Sequence, residues 1–250
     1  IRVVTSPLMS DEELQKAIET DSLWENLVQL TDDLNEYSIF HQVISRNSKL
    51  NTMEILFVAS KLSDVNAYSS IVKKAGLNPV IMDVKCFTLK NAFDNSFKIE
   101  NKASNALLEI GAEDNYLIIV HDNIPIITDI FLRPNEKDLL GQFDGNIQNT
   151  DTESVVRRYC MQLKQALSDY ESKYTSKINN IKIVSSLTNI EELIPLFKKN
   201  LLNTGLQVFD PLNEIQIPEY NKEKTTLRNR SIYTSVLGLA YRKLDVFGYY

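Results

Sequence analysis

Residues 105–132 limit most strongly what this chain can fold into. They contain three apolar runs, 106–110, 116–120 and 125–132, broken by Gly-Ala-Glu-Asp-Asn and by His-Asp-Asn. Both breaks are rich in residues that favour turns, so the stretch reads as three strands in an antiparallel meander. Its first turn carries Gly111, flanked by Glu109 and Glu113. Such a turn can cradle a phosphate: glycine lets the backbone approach closely, and a carboxylate can reach a metal ion through water. Most strand–glycine–strand turns are only hairpins, so the neighbouring segments decide what this one means.

The run 1–5 reads as a strand. Ser10 and Glu13 stand at capping-box spacing and start a helix with Leu14, Ala17 and Ile18 on its apolar side. Strands follow at 37–45 and 53–60. Val65, Tyr68, Ile71 and Val72 recur at helical spacing, and Gly76 stands where a C-cap belongs. With a further strand at 78–84, the first part reads β-α-β-β-α-β. A short helix at 87–93 leads into the meander. Residues 140–150 are rich in Gly, Asn and Gln and read as loop. Thr150-Asp151-Thr152-Glu153 is a second capping-box pattern. It opens the longest helix, whose apolar face is Val155, Val156, Tyr159, Cys160, Leu163, Leu167 and Tyr170. A strand at 181–184, a helix begun by Asn189 and Glu192, a strand at 206–209, a turn at 210–213 and a charged loop at 218–230 complete the body. A helix at 231–244 closes the chain, and its Gly238 permits close packing.

Composition narrows the function classes. The net charge of −6 argues against a nucleic-acid partner, and no Arg/Lys stripe with interleaved aromatics argues back. No stretch approaches the ~18 apolar residues of a membrane span, which predicts a cytoplasmic protein with no direct membrane insertion. Cys86 and Cys160 lie in apolar settings and read as reduced structural thiols. His121 stands beside Asp122, a pairing that could be drawn as catalytic, but a histidine in a hairpin turn is more often solvated. There is no Walker A sequence and no Gly-x-Ser-x-Gly. Arg157-Arg158 could take a phosphate or a partner's acid; a solvated helix face is the plainer reading. Trp24, with Leu23, Leu27, Val28 and Leu30, makes an apolar patch. It packs in a core or, more sharply, offers Trp24 and Leu27 to a partner.

The order of these segments resembles the PilM family, actin-like cytoplasmic proteins of type IV pilus machines related to the cell-division protein FtsA. SPLMSDEELQKAIETDSLWENLVQL is similar to the family's Pro-x-Met-Ser-x-x-Glu-Leu segment and its helix. MEILFVASKLSDVNAYSSIVKKAGLNPVIMDVKCFTLKNAF carries the most specific match, through Ala-Gly-Leu-x-Pro and then Asp-Val. ALLEIGAEDNYLIIVHDNIPIITDIFL is similar to the second phosphate-loop hairpin, LQVFDPLNEIQI to a late strand and turn, and SIYTSVLGLAYRKLD to the closing helix. The resemblance implies an α/β, actin-like, two-lobed fold. Residues 1–84 would be the small 1C-like subdomain, 85–230 the second lobe (2A/2B), and 231–250 a helix returning to the first lobe. Because the chain opens on Ile1 already in strand, the family's N-terminal core subdomain is expected to be missing. The resemblance further implies a scaffold at the inner face of the inner membrane. It would grip the cytoplasmic tail of a PilN-like partner, couple it to the motor ATPases, and associate with copies of itself.

Departures from the pattern bear on ATP. In relatives that bind it, the phosphate turn reads Asp-Ile-Gly followed by small hydroxylated residues. Here Glu109-Ile110-Gly111 precedes Ala112-Glu113-Asp114, so acid stands where phosphates would sit. The glycine-rich adenosine loop is replaced by Ser185-Ser186-Leu187-Thr188. The expectation is therefore a protein without cofactor or catalysis. The alternative is an actin-like ATPase holding Mg-ATP with Glu109, Gly111, Ala112, Glu113, Ser185 and Ser186. A third reading is the cytoplasmic actin-like part of a type II secretion protein. No metal site is expected outside the Mg-ATP alternative.

Overall fold

A computed structural model describes residues 1–19, 33–96, 105–122, 124–145, 150–213, 215 and 229–242. The partner candidates Trp24 and Leu27 lie outside the described residues, as do 218–228 of the charged loop. The chain divides into two compact units, Ile1–Met82 and Asp83–Tyr250.

The first unit is built on a three-stranded antiparallel sheet. β1 (Arg2–Pro7) and β2 (Tyr37–Asn47) flank β3 (Thr52–Lys61). Alternation along β3 sends Met53, Ile55 and Phe57 to one face, where they are buried with Val4 and with Leu14 of α1 (Asp11–Glu19). The expected capping box starts α1. The Ser10 N–H donates to the Glu13 carboxylate at 2.8 Å, and the Glu13 N–H donates to Ser10 Oγ at 3.2 Å. α2 (Leu62–Lys74) ends as expected at Gly76, whose φ of +77° suits a residue without Cβ.

Two readings of this unit need correction. No strand forms at 78–84, so the described residues follow the order β-α-β-β-α. Pro79 has no N–H to give a ladder, and no described strand pairs with this segment; Val80 and Met82 stay exposed. The apolar spacing of α2 is real, but Tyr68 and Ile71 are 65% and 64% exposed. Helical periodicity fixed the element without finding it a core.

The second unit is a five-stranded mixed sheet in the order β6-β5-β4-β7-β8. β4 (Asn105–Ile110), β5 (Asn115–His121) and β6 (Ile124–Asp129) form the antiparallel meander. β7 (Asn180–Ser185) runs parallel to β4, and β8 (Gly205–Val208) parallel to β7. The third strand ends at Asp129, three residues before the expected Leu132. Every residue of β4 is buried, because helices cover both faces. Leu108 and Ile110 face α5 (Thr150–Tyr174) and α6 (Ile190–Asn200). Leu107 faces α3 (Lys85–Ser96), with Leu89, Ala92 and Phe93. Residues 140 and 141 of the stretch read as loop are the end of a helix, α4, which spans Pro134–Gly141. Pro134 at its first position and the Arg133 N–H, which donates to Glu136 at 2.8 Å, start it without a Ser, Thr or Asp cap. α7 (Thr234–Ala240) lies on α3, and a Cβ on Gly238 would stand 1.7 Å from the Thr88 carbonyl oxygen.

Candidate functional site

The strand period that sends Leu107 toward α3 sends Glu109 there as well. A carboxylate thus enters an apolar face, beside its cross-strand neighbour Tyr116 and only 2% exposed. Lys85, the first residue of α3, meets it. Lys85 Nζ stands 2.8 Å from Glu109 Oε1 and 3.3 Å from Asp114 Oδ2 on the far side of the turn. Glu109 Oε2 is buried with no hydrogen-bond partner among the described residues, and so is the Tyr116 hydroxyl. Burial pushes the Glu109 carboxyl above the usual range, against the pull of the Lys85 hydrogen bond and charge. Burial also favours neutral Lys85, but the hydrogen bond to Glu109 and the charges of Glu109 and Asp114 outweigh it and hold Lys85 above the ordinary lysine value.

The turn itself is tight. Asn115 Nδ2 donates to the Gly111 carbonyl at 2.8 Å, and Tyr159 Oη donates from α5 to the Glu109 carbonyl at 3.3 Å. A Cβ on Gly111 would lie 3.0 Å from the Asp114 carbonyl oxygen and 3.1 Å from Ser186 Oγ. The structure therefore brings the expected Ser186 to the expected Gly111. Ser185 has another task. Its buried hydroxyl donates to the Ile110 carbonyl at 2.6 Å and accepts from the Leu187 N–H at 3.0 Å, stitching β7 to β4. Buried Asn229 supports the same loop, donating to the Ser185 and Leu187 carbonyls at 2.8 and 2.9 Å. Ala112 and Glu113 are exposed, and Lys137 of α4 donates to the Glu113 carbonyl at 2.7 Å. Ala112, Lys137, Gly141 and Leu187 line an open hollow of about 360 Å³.

These residues do not fit a metal-bound polyphosphate. The Glu109 carboxylate is buried and already answered by an ammonium, so it does not open toward a hydrated ion. Of the two groups nearest to where a Cβ on Gly111 would stand, the Asp114 carbonyl can only accept, and the Ser186 hydroxyl alone could donate to a phosphate. Asp114 and Glu113 add charge of the wrong sign. Two unit charges ~4 Å apart repel by about 4 kcal/mol at an effective dielectric of about 20. Gly111, Ala112, Ser186 and Lys137 are the groups that a nucleotide would have to use.

Lys85, Lys137 and Asn229 were not singled out from the sequence. Lys85 directly precedes Cys86 at the start of an apolar helix, and only the pairing of that helix with β4 gives it meaning. The other candidates fall elsewhere. His121 Nδ1 is 2.9 Å from Tyr170 Oη, and its ring lies 4.2 Å from that of Tyr174, so it belongs to an aromatic cluster. Arg158 pairs with buried Glu136, whereas Arg157 is exposed. Cys86 and Cys160 are free and buried, each thiol pushed up to about 12 by burial. Among the described residues, no cluster of three or more His, Cys, Asp or Glu is placed to hold a metal, and no helix is long and apolar enough to cross a membrane.

A mixed sheet covered on both faces by helices, with the glycine turn at the end of its central strand, fits the actin-like class that the sequence resemblance implied. The family model of the type IV pilus assembly protein PilM matches residues 2–168, and the chain belongs to that family. A comparison with curated proteins gave no match. Among solved structures, the chain is similar to one described as a PilM-PilN type IV pilus biogenesis complex. The TM-score is 0.71 at 16% identity, over 96% of this chain and 74% of that one. A Bacteroides thetaiotaomicron protein with an actin-like ATPase fold and unknown function matches at TM-score 0.43 and 10% identity, over 86% of this chain and 67% of that one. The cytoplasmic domain of EpsL, from the type II secretion system of Vibrio cholerae, matches at TM-score 0.38 and 9% identity, over 97% and 71%.

Proposed function

We propose that this protein is a scaffold of type IV pilus assembly that works by docking other proteins and uses no nucleotide. It would stand in the cytoplasm at the inner face of the inner membrane, hold the cytoplasmic tail of a PilN-like partner, and link that partner to the motor ATPases, alone or with further copies of itself. Membership of the PilM family carries the docking half of this reading, and the solved relative described as a PilM-PilN complex supports the choice of partner. The ammonium of Lys85, seated between Glu109 and Asp114, supports the nucleotide-free half. An extended tail suits such a partner, because main-chain hydrogen bonds and alternate side-chain pockets recognise short linear segments.

The test titrates the full natural chain with Mg-ATP and, separately, with a synthetic peptide of the partner's cytoplasmic tail. Peptide binding with no heat from millimolar Mg-ATP is the expected result. Micromolar Mg-ATP binding that is lost in Gly111→Asp overturns the nucleotide-free reading and makes the Glu109–Asn115 turn a working site. Nucleotide binding without peptide binding overturns both halves.

A further inference from the structure

We propose that β2 is a self-association strand: its open edge pairs antiparallel with β2 of a second copy of this chain, about a two-fold axis at Phe40. The register of the first sheet shows which main-chain groups are open. The Leu8 N–H donates to the Asn51 carbonyl at 3.0 Å, one step beyond the Pro7–Thr52 pair. Hydrogen-bonded and non-hydrogen-bonded pairs alternate along an antiparallel ladder. Met53, Ile55 and Phe57 therefore turn their main-chain groups to β1, while Leu56, Val58 and Ser60 turn theirs to β2. Pro7, which has no N–H, falls on the outward side of β1 as this alternation requires. On β2, Ser38, Phe40 and Gln42 stand opposite Ser60, Val58 and Leu56 and face inward. The N–H and carbonyl groups of Ile39, His41 and Val43 thus point out of the sheet, and among the described residues no group pairs with them.

An open edge invites another strand unless it is short or carries charge or proline. The other edges of the two sheets are blunted in these ways. β1 carries Arg2 and Pro7. β6 carries Pro125 and Asp129, and just beyond it the Gln162 amide accepts from the Phe131 N–H at 2.9 Å and donates to its carbonyl at 3.0 Å. β8 has four residues. β2 has 11, and its run Tyr37–Ser45 contains no Lys, Arg, Asp, Glu or Pro. Tyr37, Ile39, Phe40, Val43 and Ile44 within that run are residue types that suit a pleated surface. The open run ends at the bulge between Val43 and Ser45, and Arg46 beyond it is answered by Asp11 of α1.

The strand itself identifies the occupant. Phe40 is 66% exposed in the middle of the open run, directly across from Val58, which is 7% exposed. About an axis at Phe40, Ile39 faces the copy's His41 and His41 faces the copy's Ile39, and each pair exchanges its N–H and carbonyl groups. Phe40 meets its own copy at a non-hydrogen-bonded pair, where cross-strand side chains come closest, about 4.5 Å between Cβ atoms. The apolar row from Val58 to Phe40 then runs on into the copy, and no charge is set against its like. A charged partner segment finds no counter-charge on this run and is the weaker fit. The surface rests on the self-association in the function proposed above and is independent of tail binding and of nucleotide.

The test is sedimentation velocity on the full natural chain up to about 0.3 mM, with the variants Phe40→Lys and His41→Pro. Both positions are exposed and neither change removes a hydrogen bond within the sheet, so circular dichroism should match the wild type. The expected result is a concentration-dependent dimer whose dissociation constant rises at least about tenfold in each variant. Oxidation gives a second reading that does not depend on weakening the strand. Phe40→Cys should close a disulfide between copies, whereas Gln42→Cys, on the same face but opposite the copy's Ser38, should not. Cys86 and Cys160 are buried and do not compete. A monomer at every concentration overturns this surface and the self-association together. A dimer indifferent to both variants, or equal cross-linking from positions 40 and 42, overturns the surface alone. Slowed amide exchange at Ile39 and His41 on adding the partner's tail peptide, without a dimer, assigns the edge to that partner and also overturns the proposal.

Discussion

Replacing Lys85 by Met isolates the contact on which the reading of the Glu109 turn depends. The stem keeps its packing and the charge disappears, leaving a carboxylate at 2% exposure without a counter-ion. At the observed 2.8 Å, the attraction is about 6 kcal/mol for an effective dielectric of about 20. The Lys85 side chain is 41% exposed, so water screens much of this, and a loss of about 2–3 kcal/mol at pH 7 is expected. For a unit of this size that is a fall in thermal midpoint of about 5–10 °C. The pH dependence is the sharper readout. Glu109 has a folded-state value above its ordinary 4.5, so its contribution is present in full below 4.5 and is lost as pH rises through the folded value. Removing Lys85 raises that value further and widens the window of loss. Lys85, raised above 10.5, gives a contribution present below 10.5 and lost above its folded value. The gap between wild type and Lys85→Met is therefore largest near neutrality, and it narrows toward pH 4.5 as Glu109 takes a proton. The double variant Lys85→Met/Glu109→Gln should recover most of the neutral-pH loss. Urea unfolding from pH 4.5 to 8 measures all three proteins. A single variant within about 0.5 kcal/mol of wild type at pH 7, or a loss that ignores pH, would refute the reasoning.

Three further outcomes follow from the same geometry. Gly238→Ala drives a methyl into the Thr88 carbonyl, so α7 must lift from α3, at a cost of about 3 kcal/mol in chemical denaturation. Asn229→Ala strips the Ser185 and Leu187 carbonyls of a buried donor, costs about 2–3 kcal/mol, and should speed amide exchange through the 185–187 loop. Cys86 and Cys160, buried with thiols pushed up to about 12, should react with a thiol reagent at pH 7.5 only as fast as the protein opens.

Much of the framework could be read in order along the chain. The Ser10–Glu13 capping box, the meander, the apolar face of α5 and the close approach at Gly238 rest on local chemistry, and each is in place. Two elements were not legible, for different reasons. The 78–84 run has strand composition, but a strand exists only beside another strand. α4 lacks a recognisable cap, since Arg133 and Pro134 start it with a backbone donor and a fixed φ. The site was half legible. Glu109, Gly111 and Ser186 lie close together, whereas Ser185 is a buried staple between two strands.

The sequence alone determined the period of each element, the position of the glycine turn and the family, because those depend on residue type and spacing. Only the tertiary structure decided what the turn contains. Strand alternation puts Glu109 on the α3 side of β4, and the packing of α3 brings Lys85 within 2.8 Å of it, although 24 residues separate the two in the chain. It likewise set Gln162 on the backbone of Phe131, 31 residues away, and left that ring in water. Burial, charge pairing and exposure are properties of surfaces brought together, and the order of residues does not record which surfaces will meet.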